Sequence, residues 1–348
     1  MSLLSQINDK DATRLHSALS DAIQDAVENG KSEPSIVAQL TYGIPTFVND
    51  LGLNIGKYTL KVGSVFIHQT PKVTFHGMVK QKSIEIGDLL VINTIIDKKS
   101  VTRKAILYQA KMFKKRLPSK PGNKNQHFLY EKWPVFEYTK STPELDGKER
   151  KVIGSDLYSS AKYLLLKKAP FPSINTPDAC IVNNIALTAQ PTATLSNYES
   201  FLNEIYHFVL GNSGKVFNYH IDKVKAEDEY VQLMLLITPK KISEFHNRGW
   251  SAVITDLLEV TARKTTSLMG AASGGGRKSA RGCHVFGHKL SFITETVSDD
   301  QYFSMTDNNL PPTGIPPRSE DDDEEGGGGI SVIEFVLRKE EQKEPQKS

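Results

Sequence analysis

The feature that most constrains the fold is a pair of apolar runs separated by a short charged turn. Residues 85–97 read EIGDLLVINTIID and residues 100–111 read SVTRKAILYQAK, with Lys98 and Lys99 between them. Runs rich in Val, Ile and Leu that flank a two-residue turn are typical of a β-hairpin with buried strands. A turn at these two lysines places Asp88 opposite Gln109 and Ile86 opposite Lys111.

Polar side chains at the open end of this hairpin form the candidate site. Directly opposite residues, and alternate residues of one strand, share one face of a sheet. Asp88, Gln109 and Lys111 are therefore predicted to lie on the same face. A carboxylate, an amide oxygen and a lysine can together hold a hard divalent cation and activate a water molecule. One residue more or fewer in the turn would reverse the faces.

These residues resemble the PD-(D/E)XK nuclease superfamily, in the variant whose last motif reads Q-x-K. Asp88 begins one strand, and Gln109-Ala110-Lys111 ends the next. The resemblance implies that Asp88, Gln109 and Lys111 are catalytic. It implies that Asp88 binds Mg²⁺ or Mn²⁺ with the Gln109 side-chain oxygen or the Ala110 backbone oxygen, and that Lys111 orients the attacking water. The family more often has an acidic residue at the position of Gln109, and a neutral amide provides one negative charge less.

The resemblance covers roughly residues 20–140. It implies an α/β fold with a mixed central sheet flanked by helices, like the restriction-endonuclease core, followed by a C-terminal α+β extension. The family core has a helix before these strands that often carries a glutamate near the metal. Glu28 and Glu33 are candidates for it. Glu85 is a local alternative, although strand parity places it on the opposite face.

The function implied by the resemblance is metal-dependent endonuclease activity on the phosphodiester bonds of DNA, in bacterial anti-phage defence or restriction. The alternative is a non-catalytic nucleic-acid-binding or regulatory subunit of a defence complex, built on a degenerate nuclease core. DNA is the expected partner, and a protein partner or activating ligand from a defence system and a homo-oligomer stay open. A purely structural interpretation also stays open, with Asp88 as a strand-entry residue and Lys111 as a solvated strand end.

Positive charge is concentrated directly after the hairpin. Residues 98–132 contain eleven basic residues and one acidic residue, whereas the whole chain has 43 Lys and Arg against 40 Asp and Glu. Such a local excess is typical of phosphate contacts, although a solvated basic loop also explains it. The Gly-rich segment GAASGGGRKSARG at 270–282 lacks the P-loop pattern but adds three cations. The predicted nucleic-acid contacts are Lys98, Lys99, Lys114, Lys115, Arg116, Lys120, Arg277, Lys278 and Arg281.

Hydrophobic periodicity predicts the remaining elements. In the aromatic-rich residues 123–138, we expect His127, Tyr130, Trp133, Phe136 and Tyr138 to pack a helix onto the sheet, and stacking on bases or sugars is the alternative. Further strands are expected between Tyr58 and Lys111. The other predicted helices are 6–29, ending at Gly30, a short one that starts after Pro34 and runs to Leu40, and 155–167, 197–210 and 250–268. The other predicted strands are 230–239, 289–296 and 330–338.

Three regions are expected along the chain. The resemblance implies a nuclease-like core at residues 1–150, and the later sequence predicts a C-terminal α+β region at 151–338, with an acidic linker at 318–329, and a disordered tail at 339–348. Two cysteines about a hundred residues apart exclude a disulfide framework and a four-thiolate zinc site. The N-terminus lacks a signal-peptide pattern, and no run of about eighteen apolar residues occurs. These features predict a cytoplasmic protein with no membrane span.

Overall fold

The computed structural model describes residues 3–67, 71–79, 83–97, 100–113, 122–139, 141–143, 145–152, 157, 160–168, 185–219, 249–273, 283–293 and 329–340. Structural statements below concern these residues. The described helices are α1 (Asp9–Asn29), α2 (Glu33–Asn49), α3 (Lys124–Lys132), α4 (Phe201–Val209) and α5 (Gly249–Ser273). Within this part of the chain, no helix is both long and apolar enough to cross a lipid bilayer.

Side-chain caps determine where the first two helices begin. The Asn8 side chain accepts a hydrogen bond from the Asp11 N–H at the start of α1, and the Ser32 side chain accepts one from the Ser35 N–H at the start of α2. Pro34 lies in the first turn of α2, where no helical N–H bond is lost. The helix predicted to end near Leu40 runs on to Asn49. It is buried on most sides, so its later turns show no amphipathic period.

Ten of the described strands form a main sheet at the centre of the protein. Its strands are β1 (Asn54–Ile55), β2 (Tyr58–Ile67), β5 (Leu89–Asp97), β6 (Ser100–Met112), β9 (Ala161–Leu166), β10 (Ala186–Pro191), β11 (Leu195–Ser200), β12 (Lys215–Phe217), β13 (Cys283–Gly287) and β14 (Ser331–Lys339). The order is β1-β2-β14-β5-β6-β9-β10-β11, with β12 beside β6 and β13 beside β2. β14 is parallel to β5 and β9 is parallel to β6, whereas the other pairs are antiparallel.

Four short strands form a second, antiparallel sheet. They are β3 (Lys72–Phe75), β4 (Ile84–Glu85), β7 (Phe136–Thr139) and β8 (Glu149–Arg150), in the order β4-β3-β7-β8. In this small sheet, strands from the segment before the β5–β6 hairpin pair with strands from the segment after it. Its buried residues belong to the same apolar cluster as those of α3 and α5.

Helices cover both faces of the main sheet. Residues of α1, α2 and α4 pack with one set of alternate sheet residues, including Val91, Ile106 and Tyr108. Residues of α3, α5 and the second sheet pack with the other set, including Leu90 and Leu107. By strand alternation, Gln109 and Lys111 belong to the α3 face. The expected mixed central sheet flanked by helices is confirmed.

β14 returns from the far end of the chain to the middle of the main sheet. It lies between β2 and β5, as the strand predicted at 330–338, and every residue from Ser331 to Leu337 is buried. Glu334 pairs there with Arg103 of β6, at 3.2 Å between Oε1 and Nη1, with both side chains buried. The main sheet thus contains strands from both sides of residue 150.

Two predicted elements are wrong in type or place. The helix predicted at 155–167 is the strand β9 in its described part, and every β9 residue is buried. A strand covered on both faces has a continuous apolar run, which periodicity alone cannot distinguish from a buried helix. The strand predicted at 289–296 is also wrong, because the strand is β13 and residues 291–293 form a turn.

Other predictions are confirmed or lie outside the described residues. Helices 6–29 and 250–268 match α1 and α5, while the helix predicted at 197–210 begins only at Phe201, after β11. Tyr130, Trp133, Phe136 and Tyr138 are buried, as is His127, so these residues pack onto the sheet as expected, whereas Phe128 of the same stretch is exposed. Outside the described residues lie the strand predicted at 230–239, residues 274–282 of the Gly-rich segment, residues 318–328 of the acidic linker, and residues 341–348 of the tail.

Candidate active site

The β5–β6 hairpin has the register that the two-residue turn predicted. Asp97 lies opposite Ser100 and Leu89 lies opposite Tyr108. Asp88 directly precedes Leu89, the first paired residue of β5, and its N–H donates to the Tyr108 carbonyl at 2.8 Å. The Asp88 carboxylate accepts a hydrogen bond from Gln109 Nε2, so the prediction that Asp88 and Gln109 face each other is confirmed.

Asp88 directs one carboxylate oxygen into the protein and leaves the other available. Its Oδ2 accepts hydrogen bonds from Gln109 Nε2 and from the Ala110 N–H, the latter at 2.7 Å. Its Oδ1 accepts no hydrogen bond from any described residue, and the side chain is only half-buried. The N–H and carbonyl of one strand residue point to the same side, so the Ala110 carbonyl points toward the same edge as Asp88.

Gln109 connects Asp88 to the first turn of α3. Gln109 is buried, and its Oε1 accepts a hydrogen bond from Gln126 Nε2 at 3.1 Å, while its Nε2 donates to Asp88. In this arrangement the amide nitrogen, not the oxygen, faces Asp88. A half-turn of the amide would present the oxygen to a cation beside Asp88, and Gln126 could then accept the Gln109 N–H.

Lys111 lies at the same end of the hairpin, held by a residue from α2. Its Nζ is 3.3 Å from Glu33 Oε2, and Glu33 Oε1 accepts a hydrogen bond from the Met112 N–H at 2.8 Å. Glu33 is the first residue of α2. Of the two glutamates considered from the sequence, the structure brings Glu33 to the site, whereas Glu28 accepts a hydrogen bond from Gln24 on α1.

The surroundings of Asp88 favour its neutral form. Burial, followed by the negative charge of Glu85, raises the pKa of Asp88 to about 8, against the opposing effects of the Lys111 charge and the Ala110 N–H. The Glu33 charge adds to the increase. At neutral pH the carboxyl group is therefore mostly protonated. A cation bound beside it would favour the carboxylate.

Two buried tyrosines lie on the α3 side of this cluster. Tyr163 of β9 is the register partner of Gln109, and its ring lies 5.5 Å from that of Tyr130. The Tyr130 hydroxyl donates to the Ile86 carbonyl at 2.9 Å, whereas the buried Tyr163 hydroxyl has no hydrogen-bond partner among the described residues. Burial and the nearby Asp88 charge raise the pKa of both phenols, so both remain protonated.

Gly87 lets these groups approach one another. A Cβ atom at this position would lie 2.6 Å from Leu107 Cδ1 and 2.9 Å from the Tyr130 hydroxyl. A side chain at this position would have to displace the Leu107 or the Tyr130 side chain. Glycine therefore allows the segment before Asp88 to pack closely against both residues.

Sequence reasoning missed Gln126, Tyr163 and Gly87. Gln126 stands among the aromatic residues that were expected only to pack α3, and its position in the first turn of that helix was its one available signal. Tyr163 lies in the segment predicted as a helix, so its place beside Gln109 could not be inferred. Gly87 directly precedes Asp88, and that adjacency was a usable signal.

The possible ligands for a cation at this site are the Asp88 carboxylate, the Ala110 carbonyl and the Gln109 amide oxygen. All are oxygen atoms, which suit Mg²⁺ or Mn²⁺. Within the described ranges, no group of three or more His, Cys, Asp or Glu residues is placed to hold a metal ion. A divalent cation would thus need the Ala110 carbonyl or the Gln109 amide oxygen in addition to Asp88. The nine basic residues predicted to bind nucleic acid lie outside the described residues: Lys98, Lys99, Lys114, Lys115, Arg116, Lys120, Arg277, Lys278 and Arg281.

Comparisons of the chain with protein-family models, with curated proteins and with solved structures found no match. The resemblance to PD-(D/E)XK nucleases stays a prediction from the short motif. The chemistry of the candidate site is therefore the basis for the proposed function.

Proposed function

We propose that the protein is a metal-dependent endonuclease that hydrolyses phosphodiester bonds of DNA. The observation that supports this best is the convergence of Asp88, Gln109 and Lys111 with Glu33 at the open end of the β5–β6 hairpin. Two acidic side chains, an amide and a lysine at the end of two strands can bind a cation and a phosphate together. The setting that the resemblance implies, and that we propose, is anti-phage defence or restriction.

Mg²⁺ or Mn²⁺ is the cofactor we propose. Asp88 Oδ1 and the Ala110 carbonyl would hold it, joined by the Gln109 oxygen after a half-turn of the amide. The cation would supply Lewis-acid polarisation of the phosphate and a more acidic bound water. Asp88 would bind it as a carboxylate, so cation binding would release the proton that the apo site retains.

Lys111 is the residue we assign to the attacking water. An ammonium group has three N–H donors, and Glu33 occupies one of them at 3.3 Å. The other two can donate to a water molecule and to a non-bridging phosphate oxygen, where negative charge increases in the transition state. Glu33 also accepts the Met112 N–H, so it holds Lys111 at the end of β6.

The test is cleavage of supercoiled plasmid and linear duplex in Mg²⁺, Mn²⁺ or EDTA, with wild type, Asp88→Asn and Lys111→Ala. Lys61→Ala is the matched control, because Lys61 is an exposed strand lysine on β2. Metal-dependent nicking that both site variants lose and the control retains supports the proposal. Equal nicking by all four proteins contradicts it.

A non-catalytic nucleic-acid-binding module is the second candidate. The amide nitrogen that Gln109 presents to Asp88, in place of a second carboxylate, favours this function. A binding module predicts salt-sensitive DNA binding, no cleavage with either cation, and unchanged affinity in Asp88→Asn. The plasmid assay with a parallel binding measurement separates the two candidates.

A further inference from the structure

Three exposed apolar side chains lie around α3. Seven large hydrophobic side chains are exposed in the part of the chain that the structure describes. Three of the seven are Val79 at 58%, Val135 at 45% and Phe128 at 43% exposure. Single exposed apolar residues are common, but a group beside a candidate site indicates an interaction surface.

Contacts of neighbouring residues place all three near α3. The Phe128 ring stacks on Phe75 with 5.5 Å between ring centroids. Asn125, one turn earlier in α3, bonds to both the N–H and the carbonyl of Val79, at 3.0 and 2.9 Å. Val135 directly precedes Phe136, the register partner of Phe75. We call Phe128, with Phe75 stacked on its ring and with the exposed Val79 and Val135 near the same helix, the Phe128 surface.

Positive charge flanks the aromatic ring. Lys124 and Lys132 stand four residues before and four residues after Phe128, so all three lie on one face of α3, and both lysines are exposed. Lys132 also pairs with Glu131 at 2.8 Å. In sequence, the basic run KKRLPSK at 114–120 precedes the helix. An exposed aromatic ring between cations is the composition of a surface that binds single-stranded nucleic acid.

The same helix connects this surface to the candidate active site. Gln126 contacts Gln109 with the inner side of α3, whereas Phe128 lies on the outer side. A helix with its side chains is only about 10 Å wide. A nucleic-acid strand bound at Phe128 would therefore lie within about one helix diameter of the candidate active site.

We propose that Phe128 stacks on an unpaired base of a nucleic-acid strand whose phosphates contact Lys124 and Lys132. The inference deepens the proposed nuclease function and rests on it, because it assigns a single-stranded stretch to the substrate. A stable protein interface buries about 800 Å² on each partner, far more than three side chains between lysines provide. A nucleic-acid strand needs only a ring and nearby cations.

The test is fluorescence anisotropy of a labelled single strand of about 20 nucleotides, and of its duplex, in EDTA so that no cleavage occurs. Wild type is compared with Phe128→Ala, Phe128→Trp and Phe47→Ala. Phe47 is the matched control, because it is an exposed phenylalanine on α2, at 36% exposure. Phe128→Ala should weaken single-strand binding about tenfold, Phe128→Trp should retain it, and Phe47→Ala should not change it.

Lys124→Ala should lower the single-strand affinity. It should also make that affinity less dependent on salt concentration, by the contribution of about one phosphate contact. Thermal unfolding of each variant confirms that the fold is intact. Single-strand affinity of Phe128→Ala equal to that of wild type overturns the inference. So does a sedimentation experiment in which Phe128→Ala dissociates a wild-type dimer, since the surface would then bind a second copy of the chain.

Failure of this inference and failure of the nuclease proposal give different results. If wild type cleaves plasmid but Phe128→Ala binds single strands as tightly as wild type, the nuclease proposal stands and the proposed role of the Phe128 surface is overturned. If wild type binds single strands through Phe128 but does not cleave plasmid, the role of the Phe128 surface stands and the result favours the non-catalytic module.

Discussion

Asp88→Asn should remove a pH dependence from the stability of the folded protein. In the unfolded chain this carboxyl group has a pKa near 3.8, whereas in the folded protein burial and the Glu85 charge raise the pKa to about 8. The folded state therefore binds the proton more tightly. Its stabilising contribution is complete below about pH 4 and decreases as the pH rises toward about 8.

The size of this effect follows from the difference in pKa. Each pH unit between the two values removes up to about 1.4 kcal/mol of unfolding free energy. Because Asp88 retains some solvent contact, we expect a loss of about 2 kcal/mol between about pH 5 and about pH 7. Asparagine does not titrate, so the unfolding free energy of the variant should not decrease with pH for this reason.

Urea unfolding in EDTA, followed by fluorescence of the buried Trp133 and Trp250, measures the effect. Wild type, Asp88→Asn and the exposed control Asp21→Asn are compared across this pH range. The control should follow wild type, and the difference between wild type and Asp88→Asn should increase with pH. Parallel curves for all three proteins would refute the assignment of a neutral Asp88. Adding Mg²⁺ at neutral pH should restore stability to wild type alone.

Three further substitutions test the packing around the site by thermal or urea unfolding. Gly87→Ala should destabilise the fold by about 1–3 kcal/mol, because the new methyl group overlaps the Tyr130 hydroxyl, and an unchanged unfolding midpoint would contradict this. Tyr163→Phe should leave stability equal or slightly higher, because its buried hydroxyl lacks a partner among the described residues, and a loss above about 1 kcal/mol would indicate a bond to an unseen group. Asp256→Ala should cost about 3–5 kcal/mol, because it leaves the buried Arg150 guanidinium without its carboxylate, and Asp21→Ala is the exposed control.

The local half of the candidate site could be predicted from the amino-acid sequence. A two-residue turn between apolar runs sets the hairpin register, and the register places Asp88 opposite Gln109, only 21 residues away. Strand alternation then places Lys111 on the same face. Helix α1 and strand β14 were also readable, since an amphipathic period and an apolar run bounded by polar residues are local patterns.

The residues that complete the site come from distant parts of the chain and become apparent only in the folded protein. Glu33 reaches Lys111 across 78 residues of sequence, because α2 packs on the sheet with its first turn at the end of β6. Tyr163 lies beside Gln109 because β9 pairs in parallel with β6, although its apolar run was predicted to be a helix. Local patterns contain turn lengths and periodicities, but contacts between distant segments depend on which buried surfaces fit together, and no short stretch of sequence records that fit.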